Sequence, residues 1–243
     1  MARIVAVTNQ KGGVGKTTTC VNLAASLAAT KRRVLLVDMD PQGNATMGSG
    51  LDKNQLQVSG FDVLTRRQDA ADVCTEAPES GFDVLPANGD LTAAEVELMN
   101  EIGREHRLRL ALKPLRDIYD YVLIDCPPAL NLLTVNALAA ADSVLIPMQC
   151  EYYALEGLAA LMNTIEQIQE TVNPGLEIEG ILRTMYDPRN SLTLDVSRQL
   201  SDYFGDKVYS AVIPRNVRLA EAPSYGMPAL RYDRASKGAI SYL

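Results

Sequence analysis

The chain predicts an α/β domain: a mostly parallel sheet flanked by helices on both faces. Three observations carry this. Short apolar runs of strand length alternate regularly with longer helical segments, the pattern of a parallel sheet with crossover helices. The 243 residues suit one domain with a sizeable core, and 47% hydrophobic with 22% charged is the balance of a globular chain. A glycine-rich turn joins the first apolar run to the first helical segment, as in sheets that hold ligands at their carboxyl edge.

The first strand, Ile4–Val7, is too uniformly apolar to have a wet face. Gln10–Thr18 follows it, reading Q-K-G-G-V-G-K-T-T, and Cys20–Ala29 is Ala/Leu-rich and helical. Gly12, Gly13 and Gly15 let the main chain turn sharply and approach a ligand closely. The N–H groups of Gly12, Gly13, Val14, Gly15, Lys16, Thr17 and Thr18 then form an anion cradle at a helix N-terminus. Lys16 suits β/γ-phosphate oxygens, and the Thr17 hydroxyl is a hard oxygen ligand for Mg²⁺. The spacing departs from G-x-x-x-x-G-K-[ST], because Gln10 stands where the first glycine belongs, and a second lysine, Lys11, opens the loop. Lys11 cannot easily fold back onto phosphates enclosed by its own loop; it is better placed to reach a nucleotide held by a second subunit.

Arg33–Asp38 is the second core strand, and Asp38–Thr46 (D-M-D-P-Q-G-N-A-T) is a loop broken by Pro and Gly. At the carboxyl edge of the sheet it faces the phosphates. Asp40 is the candidate for orienting or deprotonating the attacking water, and Asp38 for supporting Mg²⁺ through its water shell; the plain alternative is a solvated acidic turn. Leu51–Glu79 reads as short surface helices, Phe82–Pro86 as a strand, and Leu91–Asn100 and Arg104–Ile118 as helices, the second with a solvated basic face. Tyr121–Asp125 (Y-V-L-I-D) is a strand ending in a carboxylate that should hold Mg²⁺ through water, and Pro127 and Pro128 stiffen the following turn. Asn131–Ala141 is helical, Ser143–Pro147 a strand, Ala154–Val172 a long amphipathic helix and Ile178–Met185 a strand. Leu192–Phe204 is a helix, Val208–Ile213 the last strand, and a helix starts near Arg234.

Cys20, Cys74, Cys126 and Cys150 lack C-x-x-C pairing, so they read as reduced and mostly buried. One histidine, His106, argues against a His metal site or a Ser/His/Asp triad. The apolar runs are broken by charges, and no leader is evident, so a cytoplasmic protein without a membrane partner is expected. The net charge of −7 argues against general adhesion to nucleic acid. However, residues 183–243 hold nine Lys/Arg against six Asp/Glu, a net +3 that leaves −10 for the rest.

The K-G-G-V-G-K-T-T loop resembles the deviant Walker A motif of the ParA/MinD family of P-loop ATPases. D-P-Q-G-N-A-T and D-C-P-P resemble its switch segments, and Q-C-E-Y-Y-A-L-E-G its chromosomal members. The resemblance runs from Arg3 to Tyr242 and is nearest to the ParA/Soj proteins of chromosome segregation. It implies a single-domain P-loop NTPase over residues 1–243 without an N-terminal helix-turn-helix domain. It also implies Mg²⁺ and ATP as cofactors, weak hydrolysis stimulated by a ParB-type partner, and a homodimer formed on ATP. In that dimer Lys11, with Lys16 and Asp40, serves the reaction. Pro214 and Asn216 would lie against adenine. Arg189 and Arg218 match arginines used for non-specific contact with double-stranded DNA, as a nucleoid-associated partition protein requires. Alternatives are a MinD-like or cargo-positioning ATPase and a metabolic P-loop enzyme such as a ligase. The first needs a basic amphipathic C-terminal helix for lipid, which Ser236–Leu243 does not resemble.

Overall fold

The structure is a computed structural model and describes residues Met1–Leu243. Eight strands form one sheet: β1 (Arg3–Val7), β2 (Val34–Asp38), β3 (Thr75–Glu76), β4 (Asp83–Leu85), β5 (Tyr121–Asp125), β6 (Ser143–Gln149), β7 (Glu177–Tyr186) and β8 (Val208–Pro214). Their order is β3-β4-β2-β5-β1-β6-β7-β8, and every pairing is parallel except β3 with β4. From β1 the chain travels through β2 to β3 and β4 on one side, then returns through β5 and continues to β6, β7 and β8 on the other. A crevice therefore opens beyond the carboxyl end of β1.

The period of two sends alternate residues of each strand to opposite faces. Ile4, Ala6, Leu35, Val37, Val122, Ile124, Val144 and Ile146 enter the larger core. The first nine helices are α1 (Lys16–Ala29), α2 (Asn44–Gly48), α3 (Gly60–Leu64), α4 (Ala70–Val73), α5 (Leu91–Glu97), α6 (Arg107–Leu112), α7 (Leu132–Ala140), α8 (Ala154–Thr171) and α9 (Ser191–Phe204), and α3 to α9 close this core. From α8 it takes Leu158, Leu161, Ile165 and Ile168, which recur every three or four residues. Val5, Val7, Leu36, Leu123 and Leu145 enter the opposite core, closed by α1 and three short helices: α10 (Val217–Glu221), α11 (Ala229–Tyr232) and α12 (Lys237–Tyr242).

Three local expectations are corrected. Arg104–Ile118 is not one helix but a 3₁₀ turn (Arg104–His106), α6, and a second 3₁₀ turn (Lys113–Asp117). Pro114 has no N–H to give back to Leu110 and its ring crowds that carbonyl, so the α pattern stops at Leu112. Its basic face is also not wholly solvated: the Arg107 side chain is 5% exposed and held by Glu101 at 2.7 Å. The Asp38–Thr46 loop ends in a helix, α2, launched by Gly43 at φ 61°. The 51–79 region carries an antiparallel edge strand, β3, besides short helices, and Val63, Leu64, Ala70 and Val73 are core residues rather than surface ones.

Candidate active site

The glycine-rich loop is built from its flanks. Asn9, buried at its start, donates to the Pro147 carbonyl at 2.9 Å and accepts from the Lys11 amide at 3.0 Å, fixing the exit from β1 against β6. Gly13 (φ 74°) and Gly15 (φ 88°) take left-handed backbone that only glycine adopts cheaply. Gly15 caps α1, which has neither a side-chain cap nor an acidic residue in its first turn. The first amides of a fourteen-residue helix are thus free to face a cavity of about 690 Å³. Gly12, Gly13, Gly15, Lys16, Thr17 and Thr18 line that cavity, and Asp40 borders it as well. Val14 is buried; its carbonyl accepts from the Thr184 hydroxyl at 2.7 Å.

Lys16 is buried, and its Nζ donates to the Lys11 carbonyl at 3.0 Å. Burial lowers its pKa, against the opposing charge of Asp125. An ammonium that costs free energy to bury and holds only a carbonyl is suited to a multiply charged oxyanion.

Asp38 and Asp125 stand side by side, in register at the ends of β2 and β5, and neither is solvent-exposed. Asp125 Oδ2 accepts from the Thr17 hydroxyl at 2.7 Å. Asp38 Oδ2 accepts from the amide and hydroxyl of Thr46, both at 2.8 Å, and its Oδ1 from the Asp40 amide at 3.1 Å. Burial pushes Asp38 up to about 6, opposed by the Thr46 hydrogen bonds. Burial, then the Asp38 charge, push Asp125 up to about 8. Two buried carboxylates that resist joint ionisation, beside a hydroxyl, form a hard-oxygen set that a small divalent cation would stabilise. Asp125 and Thr17 fit Mg²⁺ directly or through water. Neither Asp38 nor Asp125 borders the cavity, and the Asp38 oxygens also accept from the start of α2 and from the Asp40 amide, which leaves Asp38 suited to supporting the cation through water.

The remaining sequence candidates divide into two groups. Pro214 and Asn216 lie with Gly15 and Thr18 around a second, smaller cavity of about 200 Å³. The Asn216 side chain also caps α10 through the Arg218 amide. Lys11, Arg189 and Arg218 are not drawn into the phosphate cavity. Lys11 Nζ pairs with Glu151 at 2.6 Å, both half-exposed. Arg189 forks onto Asp187, and Arg218 is shared by Glu221 and Asp233. Sequence reasoning missed Thr184 and Met185, at the carboxyl end of β7, and the Glu151 partner of Lys11. The signal available for the first two was their place at a strand end beside the loop.

The chain is similar to several known proteins along its length. An AAA-domain family model matches residues 2–178. The sporulation initiation inhibitor protein Soj of Bacillus subtilis is 54% identical over 243 residues, covering 100% of this chain and 96% of that protein. The chromosome partitioning protein ParA of Caulobacter vibrioides is 52% identical, covering 99% and 91%. Among solved structures, a Mycobacterium smegmatis protein described as cobyrinic acid a,c-diamide synthase, with bound ATP analogue and magnesium, superposes with a TM-score of 0.87. It shares 40% identity over 100% of this chain and 91% of its own. With a deviant Walker A loop, paired strand-end aspartates and partition-protein relatives matched along its whole length, this chain belongs to the ParA/Soj branch of the ParA/MinD P-loop ATPases.

Proposed function

We propose that the chain is a Mg²⁺- and ATP-dependent dimerising ATPase that binds double-stranded DNA without sequence preference when ATP is bound. With a ParB-type partner it drives chromosome or plasmid segregation on the nucleoid, in the cytoplasm. The observation that carries this reading is one cavity bordered by both the Lys-bearing cradle and Asp40, in a chain whose close relatives are partition proteins. The cradle amides and Lys16 hold the triphosphate. Thr17 and Asp125, with Asp38 supporting the water shell, hold Mg²⁺, which supplies charge neutralisation at the phosphates. Asp40 orients or deprotonates the attacking water, and its wall is kept rigid by Asp38 and Thr46. Turnover is slow until the partner acts.

Lys11 lies outside its own phosphate cavity, which supports a role toward the triphosphate of a second copy. Dimerisation doubles the phosphate contacts that Arg189 and Arg218 offer on one face, so ATP gates DNA affinity. No helix is long and apolar enough to cross a membrane. A small-molecule ligase is the second reading, favoured by the name of the Mycobacterium smegmatis structure.

The test uses Asp40→Ala, which should bind ATP without hydrolysing it. With Mg²⁺ and ATP it should retard any duplex in a mobility-shift assay, and affinity should fall as salt rises. An ATP-locked dimer that ignores DNA at low salt would refute the partition reading and leave the ligase.

A further inference from the structure

Three non-glycine residues have left-handed backbone: Lys31 (φ 64°), Arg66 (φ 61°) and Met185 (φ 48°). The first two are exposed residues of turns that follow helices. Met185 is different, because it lies within the strand β7. A long side chain in this conformation is disfavoured and persists only when its surroundings impose it. Here they do. Thr184, just before it, donates to the Val14 carbonyl at 2.7 Å, tying β7 to the phosphate loop. The ladder between β7 and β8 slips between Arg183 and Tyr186 and resumes where Tyr186 meets Pro214. Met185 is the bulge between two clamps.

The bulge turns Met185 to a particular place. The phosphate cavity and the smaller cavity at Pro214 and Asn216 share three bordering residues: Gly15, Thr18 and Met185. Gly15 and Thr18 belong to the phosphate loop itself. Met185 is the one residue from elsewhere in the fold that borders both. A ligand with its polyphosphate on the loop and its other end in the smaller cavity must pass over it. The thioether side chain is apolar, polarizable and adaptable, and sulfur packs well against aromatic rings.

We infer that Met185 is a nucleoside contact: it packs against the ribose and purine of the bound nucleotide and makes the site prefer a nucleoside triphosphate over a bare polyphosphate. This rests on the ATP-binding reading and adds to it the residue that joins the two halves of the site. Thr184 is committed to the loop, so recognition at this strand end falls to Met185's apolar surface.

The test is calorimetric titration of Mg·ATP into the wild type, Met185→Gly and Met185→Leu, with thermal unfolding of each. Glycine accepts the left-handed backbone, so Met185→Gly should unfold no earlier than the wild type. It should bind ATP and ADP about five- to tenfold more weakly, from the lost apolar and sulfur contacts. Met185→Leu should stay within about threefold of the wild type, by keeping the apolar bulk. Inorganic tripolyphosphate, measured by displacement of a fluorescent ADP analogue, should bind Met185→Gly and wild type alike. Met185→Gly binding ATP within twofold of the wild type, Met185→Leu falling as far as the glycine variant, or ATP and tripolyphosphate weakening together would overturn the assignment. A wild type that binds no ATP would instead refute the nucleotide reading.

Discussion

Thr46 links most of what the active site needs into one hydroxyl. It donates to Asp38 Oδ2 at 2.8 Å and accepts from the Ala87 amide at 2.9 Å, all of it buried. Thr46→Val keeps the shape but leaves the Ala87 amide unpaired and removes one of three donors to a buried carboxylate. Chemical denaturation should show a loss of about 1–3 kcal/mol, and an unchanged midpoint would contradict the role. Gly43 is constrained by position as well as by angle. At φ 61° a Cβ would stand 2.6 Å from the Ala87 carbonyl, so Gly43→Ala should cost at least about 1–2 kcal/mol and disturb the wall that carries Asp40. Residue patterns made Lys16, Thr17 and Asp125 legible, because a cradle, a cation site and a strand-end carboxylate each demand one residue type at one spacing. Met185 was illegible for the opposite reason: its place depends on a bulge and a clamp that no local pattern encodes.

At the scale of elements, the segment joining β6 to α8 holds Lys11 through Glu151, with two exposed tyrosines, Tyr152 and Tyr153, stacked edge to face beside it. If Lys11 serves a second copy's nucleotide, it must leave Glu151 first. An exposed ion pair contributes about 0.2–1 kcal/mol. Glu151→Gln in the Asp40→Ala background should therefore lower the ATP concentration for half-maximal dimerisation by roughly two- to fivefold. Light scattering along an ATP titration checks this, and a shift to higher ATP would show that Glu151 helps the dimer rather than restraining Lys11. Long periodic elements such as α8 and uniformly apolar strands such as β2 and β5 were readable because burial on one face, or on both, leaves a repeating pattern. The short ones were not: β3 is two residues held by pairing to β4, α2 starts where Pro41 and Gly43 signal a loop, and Pro114 divides a segment whose charge pattern suggests one helix.

For the whole molecule, the sheet order explains why residues far apart in sequence meet. Register alone sets Asp38 of β2 beside Asp125 of β5, and β7 brings Thr184 to the loop after β1. Alternation of strands and helices was enough to predict the parallel sheet, whereas the edge strand and the neighbours of β1 follow from packing. Charge also acts at this scale. Arg189 and Arg218 are each held by acidic neighbours, so they are partly neutralised before any duplex arrives. A dimer offering four such arginines should bind DNA with a log–log salt slope no steeper than about −4. Removing Arg189 and Arg218 together should flatten that slope, and an unchanged one would locate the contacts elsewhere.

The proposed switch rests on Lys11 completing the nucleotide site of a second copy. Sedimentation velocity of Asp40→Ala with Mg²⁺ and ATP, with and without Lys11→Ala, tests it most directly. A dimer is expected for Asp40→Ala and a monomer for the double variant, both still binding ATP. A double variant that dimerises as well as its parent would contradict that role for Lys11.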